Sequence, residues 1–240
     1  WNDTLVALTT PPHSEGVVDL MLRLNDSIYY NFNESFLYSD KTLTGLCGEL
    51  YGTLSDSQIY ALTCPVTVPA GQTLTIEPGV IIIAIANVET PVSITANGAI
   101  YFSGTSSDPV RINSFPHIGG SWNGIIANGP SLFNHFRIMD ARDGITVSGS
   151  TLELKNSLIS NNTGTGLNIL GLEKYITINV DSTYLSNNRT GIYIKASGNK
   201  NTGNVTGTIS SCYICDNDEY GIDMYSDAFT SGSIVPTYKT

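Results

Sequence analysis

Residues 140 to 144 read Asp-Ala-Arg-Asp-Gly, the best constellation in the chain for acid–base catalysis. Two carboxylates, Asp140 and Asp143, flank the Arg142 guanidinium. Such a pair can cleave a glycosidic bond when a sugar lies between them and their pKa values are driven apart. The competing reading is a solvated corner carrying an Asp–Arg pair. A second acidic stretch, Cys-Asp-Asn-Asp-Glu-Tyr-Gly-Ile-Asp from 215, offers Asp216, Asp218, Glu219 and Asp223 as oxygen ligands for calcium. It lacks the glycine-centred loop of an EF-hand, and a solvated acidic edge is the simpler account. No cofactor is implied by either stretch.

Four cysteines allow three pairings. Cys47 and Cys64 bracket a Gly/Ser/Thr-rich segment that a disulfide could close. Cys212 and Cys215 form a CxxC with neither a βαβ context for redox chemistry nor a second CxxC for zinc. A local bridge there needs a tight turn, because extended chain holds i,i+3 Cα atoms ~10 Å apart and a disulfide wants less than ~7 Å. Free or intermolecular thiols are the alternative. Six N-x-S/T sequons stand at Asn2, Asn25, Asn33, Asn161, Asn188 and Asn204, where composition alone would give about four or five. Cysteines and sequons together point to an extracellular or cell-surface setting.

The net charge of −10 opposes binding to phosphate backbones or anionic lipid, so nucleic acid is a poor partner. The longest apolar run, residues 79–86, is far short of the ~20 residues of a membrane-spanning helix, so no insertion is expected within this segment. With 41% hydrophobic and only 13% charged residues, and abundant Gly, Asn, Ser and Thr, the 240-residue chain can bury a core and favours turns and strands over helices.

A phrase recurs along the chain: "HFRIMDARDGITV" from 135, "NSLISNNTGTGLNI" from 156, "STYLSNNRTGIYI" from 182 and "SSCYICDNDEYGIDM" from 210. Each unit carries three doublets of apolar or small residues two apart, the period of a strand with one buried face. Taking the first member of the third doublet as ruler gives Val80, Ile100, Ile125, Ile145, Leu167, Ile192 and Ile222, with steps of 20 to 30 residues. That period signals a solenoid of about seven three-strand coils, in which Ile145, Leu167, Ile192 and Ile222 pile in one column. Asn162, Asn188 and Asn217 each follow an inward residue by three positions, and are expected to stack as a structural ladder.

The coils "SNNTGTGLNI" and "SNNRTGIYI" resemble those of the right-handed parallel β-helix, the pectate-lyase-like superfamily. The run "VTVPAGQTLTIEPGVIII", continuing to "GAIYFSGTSSDPVRINS" and "SWNGIIA", is similar to the opening coils of secreted and cell-surface members. The resemblance spans roughly Tyr60 to Met224 and implies fold more than activity. Hydrolases of the superfamily carry closely spaced Asp residues with Gly-His-Gly and Arg-Ile-Lys elements. Here His13, His117 and His135 lie outside any such setting, and Tyr193-Ile194-Lys195 only echoes the last element.

Two regions are expected: an N-terminal arm and cap over 1–59 and the β-helix over 60–240. Within the first, alternation at Leu20, Leu22 and Leu24 and again at Ile28, Tyr30 and Phe32 favours a hairpin or two extended strands over an amphipathic helix. Pro11-Pro12 and Gly16 set off the first ten residues as an extended arm. No far-end cap is legible after Met224, so either the chain continues past Thr240 or another molecule covers the last coil.

The expected role is a non-enzymatic structural or adhesive module, a rigid rod able to self-associate head to tail or to bind other surface proteins, with glycans as further candidate partners. Tyr184, Tyr193, Tyr213 and Tyr220 on adjacent coils could stack on sugar rings, or simply reflect β propensity. A polysaccharide lyase or glycoside hydrolase is the alternative. Ice binding ranks third, since outward positions form no regular threonine rows.

Overall fold

The computed structural model describes residues 16–25, 28–85, 91–115, 117–149, 151–197 and 204–226. It divides into two compact units, residues 1–41 and 42–240. In the first, Gly16–Asn25 and Ile28–Tyr38 pair antiparallel, with Val17 opposite Leu37 and Leu22 opposite Tyr30. This is the hairpin reading, and the period-two alternation is what excludes the helix. The first ten residues and the tail after Ser226 lie outside the described residues.

The second unit is a parallel β-helix, and every strand pairing described in it is parallel. One face stacks Ile81–Ile85, Val110–Phe115, Phe136–Met139, Leu158–Ser160, Tyr184–Ser186 and Tyr213–Cys215. The next stacks Ile94–Ala96, Ile125–Ala127, Ile145–Val147, Thr165–Leu172, Thr190–Ser197 and Tyr220–Ser226. These two faces are continuous because Gln58–Val68 bends around their shared corner, its first half pairing with Ile81–Ile85 and its second with Ile94–Ala96. The third face is a separate sheet running from Gly52–Leu54 through Thr73–Ile76, Ala99–Ser103, Ser131–Asn134, Thr151–Lys155 and Tyr175–Asp181 to Asn204–Ser210.

Ile145, Leu167, Ile192 and Ile222 stand in one column, in direct register from rung to rung. Upward the column continues through Ile125 to Ile94 and Val66. Val80 and Ile100, which the spacing placed in it, belong elsewhere: Ile100 lies on the third face between Leu74 and Ser131, and Val80 precedes a first-face strand. The doublets are chemically alike on all three faces, so counting them cannot tell one face from another once loops change length. Inside, Phe102, Phe133 and Phe136 form a cluster with ring centroids 4.4–5.3 Å apart. Each such side chain withdrawn from water contributes about 1.5–3 kcal/mol, which is the main force holding the rungs together.

The boundary expected at 59/60 moves to 41/42. Thr42–Glu49 pairs with Gln58–Val68, and Gly52–Leu54 pairs with Thr73–Ile76, so residues 42–59 already form part of the solenoid. They escape the repeat pattern because between them only Leu46, Leu54 and Ile59 are buried apolar residues. A Cys47–Cys64 disulfide, Cα atoms 4.9 Å apart, ties the first of these strands to its neighbour.

The glycine of the repeated phrase answers to a close approach between rungs. A Cβ on Gly144 would stand 2.6 Å from the Gly166 carbonyl oxygen, and one on Gly191 would stand 2.5 Å from that of Gly221. Polar residues make the other corners. Asp140, Asn161, Asn187 and Asp216 all have φ between 52° and 65°, and His135, Asn156, Ser182 and Ser211 between 45° and 51°. Asn and Asp tolerate this left-handed region better than other non-glycine residues, which explains their recurrence at one slot of each coil.

Candidate functional site

Asp140 holds the left-handed corner and is 1% exposed. Its Oδ2 meets His117 Nδ1 at 2.7 Å and its Oδ1 accepts from Asn161 Nδ2 at 2.5 Å, so both carboxylate oxygens are engaged inside the wall. Asp143 accepts the Thr165 backbone N–H at 2.8 Å and lies 3.7 Å from the Arg142 Nε. Both residues of the candidate catalytic pair therefore brace corners between rungs. The His117 contact was missed because a histidine 23 residues away gives no local signal. Asp140 itself was findable, since it fills the slot that Asn161 and Asn187 occupy in later coils.

Among the described residues no three His, Cys, Asp or Glu side chains, Asp216, Asp218 and Asp223 included, come together in a group that could hold a metal. Asp216 is the corner residue of its rung, and Asp223 sits within a strand opposite Tyr193. Cys212 and Cys215 are both free thiols. Tyr213–Cys215 is extended, so positions 212 and 215 fall on opposite faces; the Cys212 Sγ lies 3.1 Å from the Ser210 carbonyl oxygen, and the Cys215 Sγ lies 3.1 Å from the Tyr184 hydroxyl.

Asn162 donates to Asn188 Oδ1 at 2.7 Å and Asn188 donates to Asn217 Oδ1 at 3.1 Å. The same oxygens accept the backbone N–H groups of Asn162 and Asn188, and Asn162 Oδ1 accepts that of Ala141 at 2.9 Å. Asn188 is wholly buried in this ladder, which removes it from the sequons a glycan could occupy in the folded chain. Asn161 is exposed, Asn25 and Asn33 lie in the hairpin strands, Asn204 opens a third-face strand, and Asn2 lies outside the described residues.

A concave feature of the described surface is a polar groove of about 510 Å³ at the edge between the third and first faces. At this edge most rungs turn within one or two residues, whereas residues 104–109 form a longer loop between Ala99–Ser103 and Val110–Phe115. Thr105, Ser106 and Pro109 of that loop make the end wall. The loop is set by a Thr105 Oγ1 contact from the Asp108 N–H at 3.0 Å. Corner residues His135, Asn156 and Ser182 line one side, and Arg137, Leu158 and Tyr184, outward positions of three successive first-face strands, make the floor.

The floor continues past the groove to Tyr213, whose ring stacks on Tyr184 with centroids 5.1 Å apart and planes 7° from parallel. The Tyr184 hydroxyl, hydrogen-bonded to Cys215 and partly desolvated, has its pKa pushed up to about 12. It stays protonated and the ring is held in place. Elsewhere the outward row Thr67, Thr95, Ile126, Thr146, Asn168 is interrupted, so it forms no regular threonine array.

No curated protein and no solved structure matches this chain. Residues 48–159 match the family described as pectate-lyase like beta helix domain, and the strands of that segment are those of the parallel solenoid described above. Over residues 48–159 the chain is thus similar to a pectate-lyase-like β-helix domain.

Proposed function

We propose that this β-helix is a non-catalytic adhesive module of the extracellular space or cell surface that holds a glycan chain along the groove between its third and first faces. The groove carries the reading: it is lined by hydroxyl and amide groups, ends on a stacked tyrosine pair, and runs along the solenoid axis. Rungs repeat at about 4.8 Å, close to the repeat of an extended sugar chain, so successive sugars meet equivalent positions of successive rungs. Tyr213 is 63% exposed and Tyr184 39%, leaving ring faces free to stack on the apolar face of a sugar. The Cys47–Cys64 disulfide supports an oxidising compartment.

The engagement of Asp140 and Asp143 in corner hydrogen bonds favours binding over cleavage, because neither carboxylate is placed to share a substrate. The test is retention of the purified chain on a panel of immobilised polysaccharides, with product analysis of the same glycans in solution. Retention without new chain ends is the expected result, weakened by Tyr184→Ala. Depolymerisation abolished by Asp140→Asn or Asp143→Asn would replace this reading with an enzymatic one.

A further inference from the structure

Two arginines stand side by side at the head of the groove. Arg111 and Arg137 are directly opposed in parallel register, one rung apart, and strand alternation puts both on the outer surface, between the buried pairs Val110/Ile112 and Phe136/Ile138. Arg137 lines the groove and Arg111 follows its end wall by two residues. Among the described residues neither guanidinium has an ion-pair partner. The nearest acids in sequence are engaged elsewhere: Asp108 accepts the Ser107 hydroxyl at 2.6 Å, and buried Asp140 meets His117 and accepts from Asn161.

Like charges opposed across strands are destabilising, and a chain with net charge −10 and only 11 basic residues has abundant acid with which to neutralise them. Among the described residues no acidic side chain offsets this repulsion. An anionic ligand would.

We infer that Arg111 and Arg137 form a clamp for a tetrahedral oxyanion ester, sulfate or phosphate, on the glycan held in the groove; this rests on the glycan-binding reading above. A carboxylate presents two oxygens in one plane, whereas an ester oxyanion presents three terminal oxygens around a tetrahedral centre, a better match to two guanidinium forks that approach from different rungs. The hydroxyls of Thr105 and Ser106 supply further donors beside Arg137. Farther along the same column, Leu158, Tyr184 and Tyr213 give the sugar rings an apolar floor. The preferred ligand thus carries its charged ester two or three rungs, about 10–14 Å, from an uncharged sugar that stacks on tyrosine.

The experiment measures affinity of the whole chain for heparin, the same heparin after desulfation, a phosphorylated mannan, polygalacturonate and a neutral glucan. Binding of heparin or the phosphomannan, weakening steeply with salt, is expected to exceed that of desulfated heparin and polygalacturonate at least tenfold; which ester binds tells sulfate from phosphate. Arg111→Gln with Arg137→Gln should cost at least tenfold on the preferred ester and much less on the neutral glucan. Arg137→Lys, which keeps charge but loses the fork, should fall between. The double variant should melt no lower than the parent. Equal affinity for esterified and desulfated chains, or an unaffected double variant, overturns the clamp while leaving glycan binding intact; failure to bind any glycan overturns both readings. A lowered melting temperature in the double variant would show that the fold uses these guanidiniums, and would also overturn the clamp.

Discussion

The side-chain amide of Asn162 donates to the side-chain oxygen of Asn188, one rung further along, at 2.7 Å, and that same oxygen accepts the Asn162 backbone N–H at 3.2 Å. One asparagine thus satisfies both a side chain and a main-chain donor of its neighbour. Its own Nδ2 serves the Ile159 carbonyl and Asn217. Asn162 and Asn188 are buried, so water cannot substitute for the partner that each supplies to the other.

Asn188→Ala is therefore expected to cost about 3 kcal/mol or more, since unmet buried groups each carry a penalty of about 1–3 kcal/mol. Urea denaturation of variant and parent measures it. Asn217→Ala, on a more exposed rung, should cost less; equal or negligible losses at the two positions would mean that the ladder does not hold the corners.

Asp140 and Asp143 should differ in the same way. Removing Asp140 deletes a buried carboxylate that ties His117 and the exposed Asn161 to the wall, so Asp140→Ala should destabilise by about 2–3 kcal/mol. Asp143 is a quarter exposed and makes one backbone cap, so Asp143→Ala should cost about 1 kcal/mol. Thermal and urea unfolding distinguish these values, and a stability-neutral Asp140→Ala would reopen the case for a chemical role.

The solenoid was legible because its cause is local: inward doublets, a glycine under the next rung's carbonyl and, from Asn162 onward, an asparagine at the corner recur at fixed places in successive coils. Ile145, Leu167, Ile192 and Ile222 fell into one column for that reason. Residues 42–59 were not legible, since a first rung buries little and is held instead by pairing and the Cys47–Cys64 link. The Asp140–His117 contact and the Arg111–Arg137 pair depend on register between distant segments, which spacing along the chain does not reveal. The groove had a visible sign, the six-residue loop 104–109 where the four coils that follow turn in one or two residues.

The cysteines give a chemical check. Two thiols per chain should react without reductant under denaturing conditions, with Cys47–Cys64 recovered as the disulfide peptide. In the folded chain burial pushes the Cys212 thiol up, so its alkylation near neutral pH should be slower than that of an unstructured cysteine. Replacing both Cys47 and Cys64 by Ala should cost about 3 kcal/mol, from the loop that the bridge closes. Recovery of a Cys212–Cys215 peptide would contradict the opposed faces of those two residues.

Two titrations read the geometry of the outward columns, with opposite signs. Hydrogen bonds from Ser210 and Ser182 hold the Asp181 carboxyl below its ordinary 3.8. Its contribution to stability is present above that value and is lost as pH falls through the lowered one. Ser210→Ala should move the Asp181 carboxyl titration, followed by NMR, upward. Tyr184 goes the other way: the Cys215 contact and partial burial raise it from 10.0 to about 12, so its contribution is present below pH 10 and fades as pH rises towards 12. Cys215→Ala should bring phenolate absorbance in at lower pH and loosen the ring that floors the groove. If the variant's tyrosine titration coincides with the parent's, the Cys215 thiol does not hold Tyr184, and the tyrosine pair is positioned by stacking alone.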